Sequence, residues 1–337
     1  MIDNREQIIM SRITKSFKRF RESWRALGSL NKWMEEMASA RLYNERSHFS
    51  TGEGKVYFLN NRQSNEAIHG LLSSGQPVMI GRHGSNELKL AANFDTENKI
   101  AFLDELCFNA GFFPQDEKLA EDWAELYLDM TRDLDFICEW NYRFGRFNQI
   151  QHVFGKYSPN ALVGNDINIL TPFFQARPWT RALAGKRILI IHPFVETIKS
   201  QYEKREKLFK NPEMLPEFAS LETIAAVQSA AGDSDPRFAH WFEAYDYMCE
   251  EISKKDFDVA LIGCGCYGLP LAAHVKSLGK SAVHMGGALQ LLFGIRGKRW
   301  DAAGDWVEQG LFNEHWVRPS EEETPQKASG VEGGCYW

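Results

Sequence analysis

Short apolar runs that end in a polar or glycine turn and lead into a helical stretch recur along the chain from about Val56. No other feature constrains the fold as much. "PVMIGRHGSNELKLAANF" predicts a strand from Val78 to Gly81, a turn, and a helix from about Asn86. "KRILIIHPFVETIKSQYEKREKLF" predicts a strand from Arg187 to Ile191 and a helix from about Glu196. "FDVALIGCGCYGLPLAAHVKSLG" repeats the design, and "SAVHMGG" supplies another strand. Between them, "DEKLAEDWAELYLDMTRDLDFICEW" reads as helical and runs into apolar stretches near Ile137 and Ala161. Strands alternating with helices imply an α/β class, a mainly parallel sheet with helices on both faces.

The two ends differ from this body, here taken as residues 51–318. In the first segment, residues 1–50, Ile13, Phe17, Phe20, Trp24 and Leu27 form one apolar stripe of a helical arm, ringed by Arg12, Lys15, Lys18, Arg19, Arg21 and Arg25. Such a helix can dock on its own domain or a partner protein, or lie peripherally on an anionic membrane surface. Docking of residues 10–28 is the expectation, because such stripes pack against protein more often than they anchor. Residues 319–337, with "SEEETPQKASGVEGG", read as a disordered polar tail.

Composition removes several function classes. A net charge of −6 offers no global basic field for nucleic acid. There is no run of roughly eighteen apolar residues and no signal-peptide core, so a cytoplasmic protein is expected. The six Cys include no CxxC pair, and Cys264 and Cys266 fit a tight turn better than a zinc site. Ten Trp suit a well-filled core.

In an open parallel sheet the strand-to-helix loops emerge on one edge, where ligands bind. The polar and glycine residues of this chain concentrate in those loops. Gly263-Cys264-Gly265-Cys266-Tyr267-Gly268 matches G-x-G-x-x-G, which allows a dinucleotide site, another phosphate site or a purely structural turn. A dinucleotide site wants an acid at the end of the next strand, but that strand ends His284-Met285-Gly286-Gly287, and no acid follows before Asp301. NAD is therefore not expected. Gly286 and Gly287 permit close approach of a ligand, and Arg296, Lys298 and Arg299 suit a phosphate or carboxylate. Arg82-His83-Gly84-Ser85-Asn86-Glu87 follows another strand, with Ser85 or Asn86 as a helix cap and Glu87 in the first turn. His192 ends a strand and Glu196 starts a helix; either could act as a base or bind a hydroxyl.

Arg82 to Glu87 resembles the signature of GT-D-type glycosyltransferases, bacterial enzymes of surface-polysaccharide and glycan assembly, whose pattern runs Arg, aromatic, Gly, Asp, any, Glu. Arg82, Gly84 and Glu87 match, His83 stands at the aromatic position, and Ser85 replaces the first Asp of the D-x-E motif. "HPFVETI", "GCGCYGLPLAAHVKSLGK" and "QLLFGIRGKRW" also look like proteins of polysaccharide assembly. The resemblance covers roughly Val56 to Asp301. It implies a Rossmann-like sheet, a nucleotide-sugar donor, and a glycan or lipid-linked acceptor that offers a hydroxyl.

Combined with the loops, the resemblance implies a diphosphate held by Arg82 and the glycine turn. Glu87 would hold Mg²⁺ or Mn²⁺, bind a sugar hydroxyl or act as a base; Ser85 for Asp removes half of the metal pair. Lys298 and Arg299 would replace part of the missing metal charge. The alternatives are a non-catalytic nucleotide- or sugar-binding component of an assembly complex and, on G-x-G-x-x-G alone, an NAD(P)-dependent oxidoreductase.

Overall fold

Successive residues of the buried strands feed opposite faces of the sheet, as the pleat requires. The computed structural model describes residues 48–51, 54–139, 147–233, 235–301, 310–331 and 333–337. Nine strands, β1 (His48–Thr51), β2 (Gly54–Leu59), β3 (Met79–Arg82), β4 (Phe136–Cys138), β5 (Leu162–Gly164), β6 (Arg187–His192), β7 (Ser220–Ala225), β8 (Val259–Ile262) and β9 (Ser281–His284), form one sheet in the order β1-β2-β5-β4-β3-β9-β8-β6-β7. β1 runs antiparallel to β2, and every other pair is parallel.

Helices α1 (Asn61–Ser73) and α5 (Val195–Tyr202) cover one face, where Ile68 and Ile198 pack on Ile80, Ile188, Ile190 and Leu261. The other face carries α2 (Ser85–Glu97), α3 (Glu117–Met130), α4 (Phe147–Tyr157), α6 (Trp241–Ser253) and α7 (Gly268–Ser277). These cover Met79, Ile137, Leu189, Ile191 and Ala260. The near-continuous apolar strands thus belong to a sheet buried on both sides, as expected for the α/β class.

Strand order decides where a ligand can bind. From β8 the chain moves to β9 on one side, while from β6 it moves to β7 on the other, and β6 and β8 are neighbours. Connections diverge there and leave a crevice beyond the carboxyl ends of the strands. His192 closes β6 at this point, and Gly263 follows β8.

At the ends of the chain, only the tail can be compared with the sequence reading. The helical arm at 10–28 lies outside the described residues, and the last residues of the 1–50 segment already belong to β1. The tail expected to be disordered is seated on the fold. Cys335 and Val331 are buried, and the Trp337 and Cys335 carbonyls accept from the Lys298 and Arg299 amides at 3.1 and 3.0 Å. Its polar composition hides the few residues, Cys335, Tyr336 and Trp337, that anchor it. Among the described residues, no helix is long and apolar enough to cross a membrane.

Candidate active site

The carboxyl ends of β3, β6, β8 and β9 deliver their loops to one cavity of about 170 Å³. Arg82 and Gly84 to Glu87 come from β3, His192 from β6, Gly263, Gly265 and Tyr267 from β8, and Gly286 and Gly287 from β9. Arg299 adds a second guanidinium to the lining. Of the residues singled out as ligand-site candidates in the sequence, His83, Glu196, Gly268, Arg296 and Lys298 do not line it, and Arg296 instead pairs with Asp301 at 3.0 Å. The sequence reading missed residues 109–111, 227–230, His284, Gln290 and the Tyr336–Trp337 end of the tail.

In the β3 loop the cap of α2 is Gly84, so neither Ser85 nor Asn86 caps the helix as expected. Glu87 folds back over Gly84: a Cβ on this glycine would stand 2.0 Å from one carboxylate oxygen. The missing side chain is the space that Glu87 occupies. His83 takes an aromatic's place in the packing, stacked on Phe154 with ring centroids 5.5 Å apart and its Nδ1 2.8 Å from the Tyr127 hydroxyl. Burial holds His83 neutral, with a pKa of about 3.

Arg82 lies against Gly286, whose φ of 58° is in the left-handed region. A Cβ there would come within 2.7 Å of the Arg82 Nη2. Burial lowers the Arg82 pKa; the Tyr336 phenol opposes this, the Arg299 charge adds to it, and Glu87 also opposes it. These four side chains therefore share one electrostatic neighbourhood.

Each glycine of the G-x-G-x-x-G turn has its own steric reason. A Cβ on Gly263 would meet the Gly286 carbonyl at 2.6 Å, and one on Gly265 (φ 55°) the Ala110 carbonyl at 2.4 Å. A Cβ on Gly268 would overlap the His284 ring, so this third glycine seats α7 against β9. Gly263 and Gly265 face the cavity, while Gly268 serves packing. Burial raises the Cys264 and Cys266 thiols, and the Cys266 Sγ accepts from the Trp241 indole at 3.1 Å, so the C-x-C pair belongs to the core. Tyr267 stacks on Trp241 at 5.0 Å. The Ser229 hydroxyl donates to the Gly111 carbonyl at 2.6 Å, which leaves the Tyr267 hydroxyl, 3.4 Å away, to donate to Ser229.

His192 is buried and held to a pKa of about 3. Its Nδ1 accepts from the Phe194 amide at 3.0 Å, so the ring proton sits on Nε2. The imidazole is thus poised to donate, not to take a proton. Glu196 is exposed and paired with Lys199 at 2.5 Å, away from the cavity. The Lys298 ammonium donates to the Gly333 carbonyl at 3.0 Å. Lys298 holds the tail, while Arg299 keeps its guanidinium in the lining, over the Tyr336 ring at 4.8 Å and with Nη2 3.2 Å from the Cys335 Sγ.

A Mg²⁺ or Mn²⁺ site asks for several hard oxygen ligands. Among the described residues Glu87 is the one acid in the lining, and no group of three or more His, Cys, Asp and Glu could hold a metal. The residues present do not fit a metal site.

The chain is thus an α/β protein with a doubly covered parallel sheet and, where its connections diverge, a glycine-walled crevice lined by Arg82 and Arg299. No protein-family model matches the chain, and no curated protein matches it. Among solved structures it is similar to one described as the highly conserved domain of unknown function 1792 with a distinct glycosyltransferase fold (TM-score 0.42, 16% identity, 86% of this chain and 96% of that chain). It is also similar to a glycosyltransferase of the same domain family from Streptococcus sanguinis (TM-score 0.41, 12% identity, 80% and 96%).

Proposed function

We propose that the protein is a glycosyltransferase that moves a sugar from a nucleoside-diphosphate donor to the hydroxyl of a glycan or lipid-linked acceptor in polysaccharide or glycan assembly. The observation that carries this reading is the meeting of Arg82 and Arg299 in one glycine-walled crevice at the strand-order reversal. In the reaction, the acceptor oxygen forms a bond to the anomeric carbon as the bond to the diphosphate oxygen breaks. Negative charge builds on the leaving diphosphate. Two guanidinium groups that grip it more tightly then lower the barrier. The acceptor proton needs a base, and Glu87 is the carboxylate in the lining; His192, with its proton on Nε2, is suited to donate to a sugar hydroxyl or a phosphoryl oxygen. The reading includes a cytoplasmic enzyme, with contact to a membrane's inner face or a partner through the arm.

A second reading, a non-catalytic nucleotide- or sugar-binding component, is favoured by the way Glu87 rests on Gly84. One experiment separates the readings. Thermal shifts are measured with UDP-, GDP-, CMP- and TDP-linked sugars and with NAD(P), each with and without Mn²⁺, followed by product analysis with the best donor. Stabilisation by a nucleotide-sugar with transfer supports the enzyme, stabilisation without transfer supports the binding component, and stabilisation by NAD(P) alone defeats both. Arg82→Ala and Glu87→Gln should each lower turnover ~10²-fold or more. Unchanged affinity and turnover in both would reduce this loop to scaffolding.

A further inference from the structure

We propose that Gln290 and Trp337 form the sugar-ring subsite of this cavity, the amide oxygen and indole N–H reading two hydroxyls beside the aromatic faces of Tyr336 and Trp337. The inference rests on the nucleotide-sugar reading and adds to it which wall takes the sugar.

Gln290 is fully buried. Its Nε2 donates to the Ile295 and Tyr336 carbonyls at 3.3 and 3.0 Å, and this fixes the amide's orientation, since a flip would set oxygen against two carbonyls. Its Oε1 is left buried and without a partner, in a side chain that lines the cavity. A buried acceptor left unmade costs ~1–3 kcal/mol, so such an atom signals a missing donor. The Trp337 Nε1 is likewise buried without an acceptor, and its residue lines the same cavity. One orphan acceptor and one orphan donor complement hydroxyls, which can both give and take a proton.

The surroundings agree. Phe194 and Tyr336 meet the Trp337 ring edge-on at 6.1 and 5.9 Å, so this wall is aromatic, with the Arg299 guanidinium on its Tyr336 side at 4.8 Å from that ring. The apolar C–H face of a sugar ring fits such a surface, whereas a diphosphate wants the guanidinium groups. His284, also buried and with Nδ1 unpartnered, lines the same cavity and feels the Arg82 charge.

The test titrates the full chain with the nucleotide-sugar that stabilises it most and, separately, with the corresponding free nucleotide. Trp337→Phe keeps a ring and removes the donor; Gln290→Leu removes the acceptor. Each should weaken nucleotide-sugar binding ~10-fold, the scale of a lost buried hydrogen bond, while free-nucleotide affinity stays within about twofold. Equal weakening for both ligands, which would seat the nucleotide here, overturns the proposal, as does no weakening at all. Gln290→Leu also strips two carbonyls of their donor, so melting temperatures are compared; Trp337→Phe leaves those bonds intact and carries the test if the other variant unfolds. If no nucleotide-sugar binds the wild type, the functional reading fails by itself. Saturation-transfer NMR with millimolar glucose, galactose and N-acetylglucosamine then decides: a signal lost in Trp337→Phe sustains the subsite, and the absence of signal ends it.

Discussion

Gly263 lies so close to His192 that a Cβ on it would stand 2.8 Å from the imidazole Cδ2. The contact joins the ends of β8 and β6 at the point where the chain's connections diverge. Gly263→Ala would also press on the Gly286 carbonyl, which is backbone and cannot swing away. We expect a loss of about 2–3 kcal/mol, the scale of overpacking. Urea unfolding measures it, and a loss below ~0.5 kcal/mol would show that the two strand ends can part freely.

Gly286→Ala should act differently. Its φ of 58° costs a non-glycine residue ~1–2 kcal/mol, and the atom its Cβ would meet is the movable end of Arg82. The guanidinium gives way, so the expected signature is a modest fall in melting temperature with ~10-fold weaker nucleoside-diphosphate binding, as for a lost charge-assisted hydrogen bond. Wild-type affinity in this variant would remove Arg82 from the binding argument.

Acid should destabilise the protein through its buried imidazoles. His83, His192 and His284 are each held to about 3, against 6.5 for an ordinary histidine. Between these values the unfolded chain takes up protons that the folded chain refuses, so stability is present above pH 6.5 and falls as pH drops towards 3. From pH 6.5 to 5 the effect is on the order of 1–2 kcal/mol per imidazole. Glu139, raised by burial from 4.5 to about 8, works in the opposite direction and is protonated in the fold. Its contribution is present below pH 4.5 and lost as pH rises through 8. Melting curves from pH 4 to 9 should therefore peak in the interior, and Glu139→Gln should raise the alkaline side selectively. A flat acid limb would contradict the burial of these rings.

Glu323 is expected to latch the tail. Its carboxylate accepts from the Glu196 amide at 2.7 Å, the Thr197 amide at 3.2 Å and the Thr197 hydroxyl, at the N-terminus of α5. Glu323→Gln keeps the shape and removes the charge that favours a helix N-terminus, a loss of ~0.3–1 kcal/mol. Hydrogen exchange should speed up in residues 320–337 and at the Glu196 and Thr197 amides, and remain unchanged in β8. Uniform protection across all of these would mean that the tail is held without this contact.

The sheet was legible because the rule behind it is local: apolar strand runs and the turns after them are written in consecutive residues. The common edge followed from parallelism alone, and that brought Arg82, His192 and Gly263 together before any distance was known. The cap of α2 was not legible, since Gly84 caps without a side chain and its reason is the Glu87 carboxylate folded above it. Nor could spacing distinguish Gly268, which makes room for His284, from the two glycines that face the cavity. The largest miss was the tail. Its polar run dominates any window average, while the contacts that seat it pair Lys298 and Arg299 with residues distant in sequence. "CYW" closes the sequence with the one aromatic cluster of that segment, the signal that was available.

The position of Tyr336 over Gly287 has a kinetic consequence. Arg82 is synthesised early and Tyr336 late, and contacts between such distant residues close the longest loops, whose entropy must be met before they stabilise anything. The sheet already joins distant segments where β3 pairs with β9, while the crevice lacks its Tyr336 wall until residues 333–337 dock. Ligand-binding competence should therefore trail the gain of strand and helix signal during refolding, as a separate and slower phase.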